Sequence, residues 1–143
     1  MIIRTNASHI SKLSEIENTQ PYASGWGRDG FAGEMKLECA WIWGYEEEGH
    51  LLGFIALRSV GGVAEIINMA VLPAHTGKGI GTGLLRHALA ALKEQGAEKV
   101  TLEVAVENSK ARRLYEKSGL CILGQRKDFY GLGKDALVMG VGL

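Results

Sequence analysis

An apolar run that stops at a proline and passes straight into a glycine loop constrains this chain more than any other feature. Ile66-Ile67-Asn68-Met69-Ala70-Val71 is long enough for one buried strand, and Pro73 ends it because proline has no N–H to give a ladder. His75-Thr76-Gly77-Lys78-Gly79-Ile80-Gly81-Thr82-Gly83 follows, with glycine at four alternate positions. Leu84, Leu85, Ala88, Leu89 and Leu92 then recur at helical spacing, and Gly96 stands where a helix would end. A strand, a glycine loop and a helix start together build an anion site. Glycine lets the backbone approach closely, and first-turn N–H groups have no intrahelical partner.

Two familiar phosphate loops do not fit. A P-loop needs Gly, four residues, then Gly-Lys-Ser/Thr, but Gly77-Lys78 runs into Gly79 with no glycine five places upstream. The Rossmann pattern Gly-x-Gly-x-x-Gly meets Thr82 when started at Gly77 and Leu84 when started at Gly79. The loop therefore reads as a pyrophosphate cradle of a third kind.

The 143 residues make one domain, 1–143, with enough chain for a proper core. Sixteen basic residues balance sixteen acidic ones, which removes the general electrostatic argument for nucleic acid or an anionic membrane. An anionic ligand must be held by local geometry instead. Cys39 and Cys121 lie far apart with no metal or redox spacing, as expected of reduced, mostly buried thiols in a cytoplasmic protein. His9, His50, His75 and His87 form no ligand pattern, so no metal is expected. Met1-Ile2-Ile3-Arg4 is too short for a secretory signal, and no apolar run approaches membrane-spanning length.

In chain order, Ile2 and Ile3 suggest a short strand. Asn6 or Ser8 caps a helix bearing Ile10, Leu13 and Ile16 and ending near Asn18. Residues 21–33 mix Gly25, Gly27, Gly30 and Gly33 with Tyr22, Trp26 and Phe31, a poor helix by propensity. That segment is either a substrate-facing flap or a loop pinned to the core by its rings. Residues 40–45 and 51–60 read as a hairpin around Glu46-Glu47-Glu48-Gly49, and Gly61-Gly62 turns into the strand at 63–71. A helix at 82–95 recrosses the sheet. The strand at 100–106, which sets Val100, Leu102 and Val104 against Thr101, Glu103 and Ala105, then lies parallel to the central one. Asn108 or Ser109 caps a helix through Lys117, stopped by Ser118-Gly119. Residues 120–124 and 136–139 are the last strands, joined by a polar-aromatic loop.

The glycine loop behind an apolar strand, followed by Asn108, Tyr115 seven residues on and Gly119 beyond, resembles the GNAT superfamily of acyl-CoA N-acyltransferases. Gly79-Ile80-Gly81 fits the second half of that family's [Gln/Arg]-x-x-Gly-x-[Gly/Ala] loop, with Thr76 at the Gln/Arg position. Asn108 through Leu120 is similar to Asn-x-x-Ala-x-x-Leu-Tyr-Glu-Lys-x-Gly-Phe, with Leu120 for Phe. Within the superfamily, Glu65 to Pro73, Leu102-Glu103-Val104, Arg126 to Tyr130 and Lys134-Asp135-Ala136 resemble the RimI-type alanine N-acetyltransferases. Ala105 departs from the arginine usual in that subgroup. The implied fold is α/β, a single mixed sheet of about seven strands, mostly antiparallel with parallel strands 4 and 5 splayed, flanked by about four helices.

The resemblance implies acetyl-CoA as co-substrate and a primary amine as acceptor. It assigns Glu103 as the base that deprotonates the amine, directly or through water, and Tyr115 as the proton donor to the leaving thiolate. Met69, Ala70 and Val71 would pair with the pantetheine arm, helped by Asn108. Thr76, Gly77, Lys78, Gly79, Ile80, Gly81 and Thr82 would hold the diphosphate. Trp26 and Tyr130 are its candidates for the acceptor groove. An α-amino group with pKa ~8 is easier to deprotonate than a lysine at ~10.4, by roughly 3.4 kcal/mol at neutral pH. The RimI-type resemblance implies a peptide or protein N-terminus, as in a ribosomal protein, as the acceptor, and such an amine asks less of the base. A small-molecule amine, a lysine side chain, or a CoA-binding domain without catalysis are the alternatives.

Overall fold

The computed structural model describes residues 1–22 and 24–143. Its strands are β1 (Ile2–Arg4), β2 (Ala40–Glu47), β3 (His50–Val60), β4 (Val63–Val71), β5 (Lys99–Ala105), β6 (Cys121–Arg126) and β7 (Ala136–Gly142). They form one sheet in the order β1-β2-β3-β4-β5-β7-β6. Every neighbouring pair is antiparallel except β4 with β5. The helices are α1 (Ile10–Glu17), α2 (Gly27–Met35), α3 (Ile80–Glu94) and α4 (Ser109–Lys117), with single 3-10 turns at Ala7–His9 and Pro73–His75. None of the described helices is long and apolar enough to cross a membrane.

Alternation along β3 sends its side chains to two cores. Ile55 and Leu57 join Leu84, Leu85, Ala88 and Leu92 of α3, together with Val100, Leu102 and Val104 of β5. Phe54 and Ala56 join Leu13 and Ile16 of α1 and Phe31 of α2 on the opposite face. The period-3.6 stripe of α3 and the period-2 stripe of β5 are thus both satisfied by one sheet face.

A bulge in β4 interrupts this regularity. Leu57 pairs with Ile66 and Ala56 with Asn68, so Ile67 has no partner in β3. An extra residue inverts which face later side chains take. Ala64 and Ile66 face the α3 core, whereas Ala70 faces α1 and α2.

The segment expected to be a poor helix is helical from Gly27 to Met35. Phe31 is fully buried, edge-on to Trp26 at 5.2 Å and to Phe54 at 5.3 Å. Glu34 accepts two bonds from Arg58, at 2.7 and 2.6 Å. Two interior glycines cost about 2 kcal/mol in helix propensity, and burying one Phe side chain returns about as much. Gly30 also has a packing reason, since a Cβ there would sit 2.5 Å from Trp26 Cβ. Of the two readings of this segment, pinning by its rings describes Trp26 and Phe31, whereas Tyr22 faces the cleft described below. The cysteines differ from expectation: Cys39 is half-buried and Cys121 is exposed, because β6 is an edge strand whose residues all face solvent.

Candidate active site

The glycine loop places a row of free donors at the start of α3. Gly77 and Gly79 take positive φ, +77° and +84°, which an L side chain resists. Gly79 immediately precedes the helix, and its carbonyl accepts from the Gly83 N–H at 2.9 Å. Among the described residues, no backbone N–H from Gly77 through Thr82 has a hydrogen-bond partner. These donors converge at the positive end of a 15-residue helix, the arrangement that suits a diphosphate. Thr76 Oγ1 donates to the Pro73 carbonyl at 3.0 Å, and Lys78 Nζ lies 3.4 Å from His75 Nδ1 at the exposed rim. A Cβ on Gly81 would lie 3.3 Å from Leu114 Cδ2, so glycine there lets α3 and α4 pack closely.

From this loop a cleft of about 610 Å³ runs along β4. The parallel pairing of β4 and β5 covers only Val63–Ile66 against Lys99–Leu102 and then stops. Beyond it, β5 stays paired to β7 while β4 stays paired to β3, so a gap opens between them. The carbonyls of Ile67 and Val71 face this gap, one accepting from Ser24 Oγ at 3.3 Å and the other from Gln20 Nε2 at 2.9 Å. Strand alternation directs the backbone groups of Met69, midway between them, to the same edge. An extended chain can pair there. Asn108 lines the opposite wall; its Oδ1 caps α4 by accepting from the Ala111 N–H at 3.3 Å. Its side-chain N–H donors have no partner among the described residues.

At the inner end the cleft meets a small cavity of about 80 Å³ lined by Glu103, Tyr115, Tyr130, Asn68 and Tyr22, among others. That volume holds more than one water. Glu103 Oε1 accepts from Arg126 Nη1 at 3.0 Å, and the Glu103 carbonyl accepts from the Tyr130 hydroxyl at 3.3 Å. Tyr115 is buried, its hydroxyl 4.0 Å from Met69 Sδ. Burial first, and the neighbouring Tyr130 second, push its pKa up to about 12, so it is a phenol at any physiological pH. Tyr130 is raised by the same two kinds of cause, burial and then the charge of Glu103. Glu65, on β4 beside β5, is also raised, by burial and then by Glu103. Asp135 holds the β6–β7 loop that carries Tyr130, accepting from the Asp128 N–H at 2.9 Å and Gln125 Nε2 at 2.7 Å; these bonds lower its pKa. A third cavity, about 460 Å³, continues outward between Tyr22 and this loop, past Glu107 and Asp135.

The structure thus brings Glu103, Tyr115, Tyr130 and Asn108 around one small cavity. Met69, Ala70, Val71, Thr76 and Gly81 line the cleft that leads to it. Gly77, Lys78, Gly79, Ile80 and Thr82 surround the free-donor row at its mouth. Trp26 is elsewhere: it packs on Phe31 and is not among the residues lining the cleft. Tyr22, four residues earlier, lines the cleft and both of the cavities beyond it. Both stood in one glycine-rich segment, and nothing in their spacing separates them. Asn68 also lines the small cavity. The one available signal was a lone polar residue, Asn68, inside an apolar strand, which must find a partner when buried. Among the described residues no cluster of three His, Cys, Asp or Glu is placed to hold a metal.

The acetyltransferase (GNAT) family model matches residues 9–120. A candidate ribosomal protein bS18-alanine N-acetyltransferase of Bacillus subtilis is 37% identical over 134 residues, 92% of this chain and 88% of that protein. The ribosomal protein bS18-alanine N-acetyltransferase of Haemophilus influenzae is 34% identical over 97% of this chain and 96% of that one. The crystal structure of the ribosomal-protein-S18-alanine N-acetyltransferase from Escherichia coli matches with a TM-score of 0.90 at 25% identity, covering 99% of this chain and 92% of that chain.

Proposed function

The chain belongs to the acetyltransferase (GNAT) family, and from that premise we propose that it acetylates the N-terminal α-amino group of a protein, with a bS18-type ribosomal N-terminal alanine as the preferred acceptor. The observation that carries the reading is the early end of the β4–β5 pairing. It leaves the backbone edge at Met69 open between a row of free N–H donors and a cavity lined by a carboxylate and a phenol.

The residues present fit acetyl-CoA. Backbone donors from Gly77 to Thr82 bind the diphosphate, the Met69 edge pairs with the amide-bearing arm, and Asn108 offers its free amide donors from the other wall. When bound, acetyl-CoA supplies an activated acyl carbon and a thiolate leaving group. Glu103 takes a proton from the incoming ammonium, across a water where the gap requires one. The nitrogen lone pair so freed would form the new C–N bond as the C–S bond breaks; the acylated nitrogen then loses its second proton, which ends on the leaving thiolate as a thiol, and Glu103 returns the first proton to solvent. A backbone N–H of the central strand β4 would bond the carbonyl oxygen as it gains charge.

Tyr115 contributes mainly a hydrogen bond. With a pKa of about 12, full transfer of its proton to a thiolate of ordinary pKa near 8.5 runs uphill by roughly 5 kcal/mol. A phenol that stays a phenol stabilises developing charge on sulfur without itself ionising. The outer groove beside Tyr22 and Tyr130 has room for residues beyond the reacting amine, which supports a polypeptide acceptor over a small amine.

The test is incubation with acetyl-CoA and a panel of N-terminal peptides, lysine peptides and small amines, read by thiol release and product mass. Acetylation of peptide α-amines is expected, fastest for an alanine start of the bS18 type. Turnover of free small amines alone overturns the acceptor assignment.

A further inference from the structure

Among the described residues, Glu17 is the one charged group that the reaction leaves unused and that is buried completely. An isolated carboxylate in such a place is costly unless its oxygens are filled. Here Oε2 accepts from the Trp26 N–H at 3.1 Å and from Asn68 Nδ2 at 2.7 Å, and Oε1 accepts from the Gly27 N–H at 3.1 Å. Among the described residues Glu17 has no cationic partner. Backbone dipoles at the start of α2 and one amide hold the charge instead.

Apolar side chains would fill this core position at least as well energetically. What the carboxylate adds is a clasp. It ties the end of α1 to the start of α2, nine residues on, and ties both to β4 one residue past the bulge. Inside the closed connection lie Gln20 and Ser24, which bond the Val71 and Ile67 carbonyls at the two ends of the open edge. Tyr22, which lines all three cavities, is there too. On the other arm of the clasp, Asn68 sits between Ile67 and Met69.

We infer that Glu17 is a positioning residue for the acceptor: through Asn68 and the α1–α2 connection it fixes Tyr22 against the open edge of β4. The inference rests on the acetyl-transfer reading for the word acceptor; the clasp itself does not.

The full chain is compared with Glu17→Gln, Asn68→Asp and the double variant, using acetyl-CoA and an N-terminal peptide. In Glu17→Gln the new NH2 group opposes at least one of the three donors. Asn68→Asp sets two carboxylates face to face. In the double variant the amide introduced at position 17 donates to the carboxylate introduced at position 68, which restores the link. Each single variant is expected to raise the peptide KM roughly tenfold, with the acetyl-CoA KM changed less than about twofold. The double variant is expected to have a lower peptide KM than Asn68→Asp alone. Hydrogen exchange at the Trp26 and Gly27 amides should speed up in Glu17→Gln.

An unchanged peptide KM in both single variants overturns the inference. So does a fall in activity that only follows the loss of folded protein, with both KM values preserved. If Glu17→Gln does not fold, Gln20→Ala and Ser24→Ala decide the matter from the surface. They should raise the peptide KM at an unchanged Tm, and wild-type KM values in both defeat the inference. A wild-type chain inert toward every acceptor defeats the acetyl-transfer reading instead, and amide exchange at Trp26 and Gly27 then still decides whether the clasp exists.

Discussion

A methyl group added at Gly79 and one added four residues later at Gly83 should act in opposite directions. Gly79 sits at φ 84°, ψ 6°, the left-handed region, with open space around a would-be Cβ. Alanine there clashes with its own backbone, which costs about 1–2 kcal/mol. Gly83 lies inside α3 with ordinary helical φ, and a Cβ there also meets nothing within 4 Å. In that setting alanine gains about 0.8–1.0 kcal/mol of helix propensity. Tm moves about 3 °C per kcal/mol at this chain length, so Gly83→Ala should melt roughly 5–9 °C above Gly79→Ala. The two should also part in acetyl-CoA affinity. Relief of strain at Gly79 rotates its peptide and turns N–H groups out of the row; each bond to a charged group is worth about 1.5–3 kcal/mol. Calorimetric titration should therefore show Kd raised roughly tenfold to a hundredfold in Gly79→Ala. Gly83→Ala should bind as the unmodified chain does. Wild-type affinity in Gly79→Ala would refute the reasoning that backbone geometry at this loop holds the ligand. A lowered Tm in Gly83→Ala would refute its helical part.

Other outcomes follow from the same geometry. Glu103→Gln should lower kcat by roughly 10²–10⁴ and still fold, because its Arg126 partner is half exposed; steady-state rates and circular dichroism check both halves. Tyr115→Phe should lower kcat roughly a hundredfold with the acetyl-CoA KM preserved. Tyr115 also sets a pH dependence of stability. Its folded pKa of about 12 lies above the unfolded value, so the unfolded chain releases the proton first as pH rises past 10. Stability should fall between about pH 10 and 12, by on the order of 2–3 kcal/mol in total. Denaturant melts should show that slope reduced in Tyr115→Phe. Phe31→Ala should destabilise the chain by about 3–5 kcal/mol, measurable as a lower denaturant midpoint.

The parts of the fold written in local pattern were legible. The glycine loop, the stripe of α3 and the alternation of β5 each bury one face, so their residues announce their period. The parallel pairing of β4 with β5 followed from the helical crossover between them. Local propensity misled at α2, where Phe31, Glu34 and Trp26 find partners in Phe54, Arg58 and Glu17. The first two partners lie 23 and 24 residues away, beyond a local window, and the third, nine residues off, is joined through a backbone N–H that no side-chain period marks. The bulge at Ile67 was silent for a related reason: the register of β3 against β4 depends on both strands and on the α1–α2 layer behind them. Glu103, Tyr115 and Asn108 were reached through resemblance, since an alternating strand and a capped helix would look the same with no chemistry attached. Tyr22 and Glu17 became visible only when β4 and the α1–α2 connection were placed side by side.

The most direct test of the central claim is a crystal structure of the chain with coenzyme A. The diphosphate is expected within about 2.7–3.2 Å of backbone nitrogens between Gly77 and Thr82, and the arm paired with the Met69 edge so that its sulfur lies beside the Tyr115 hydroxyl. A diphosphate bound away from the start of α3, or a sulfur directed out of the β4–β5 gap, would contradict it.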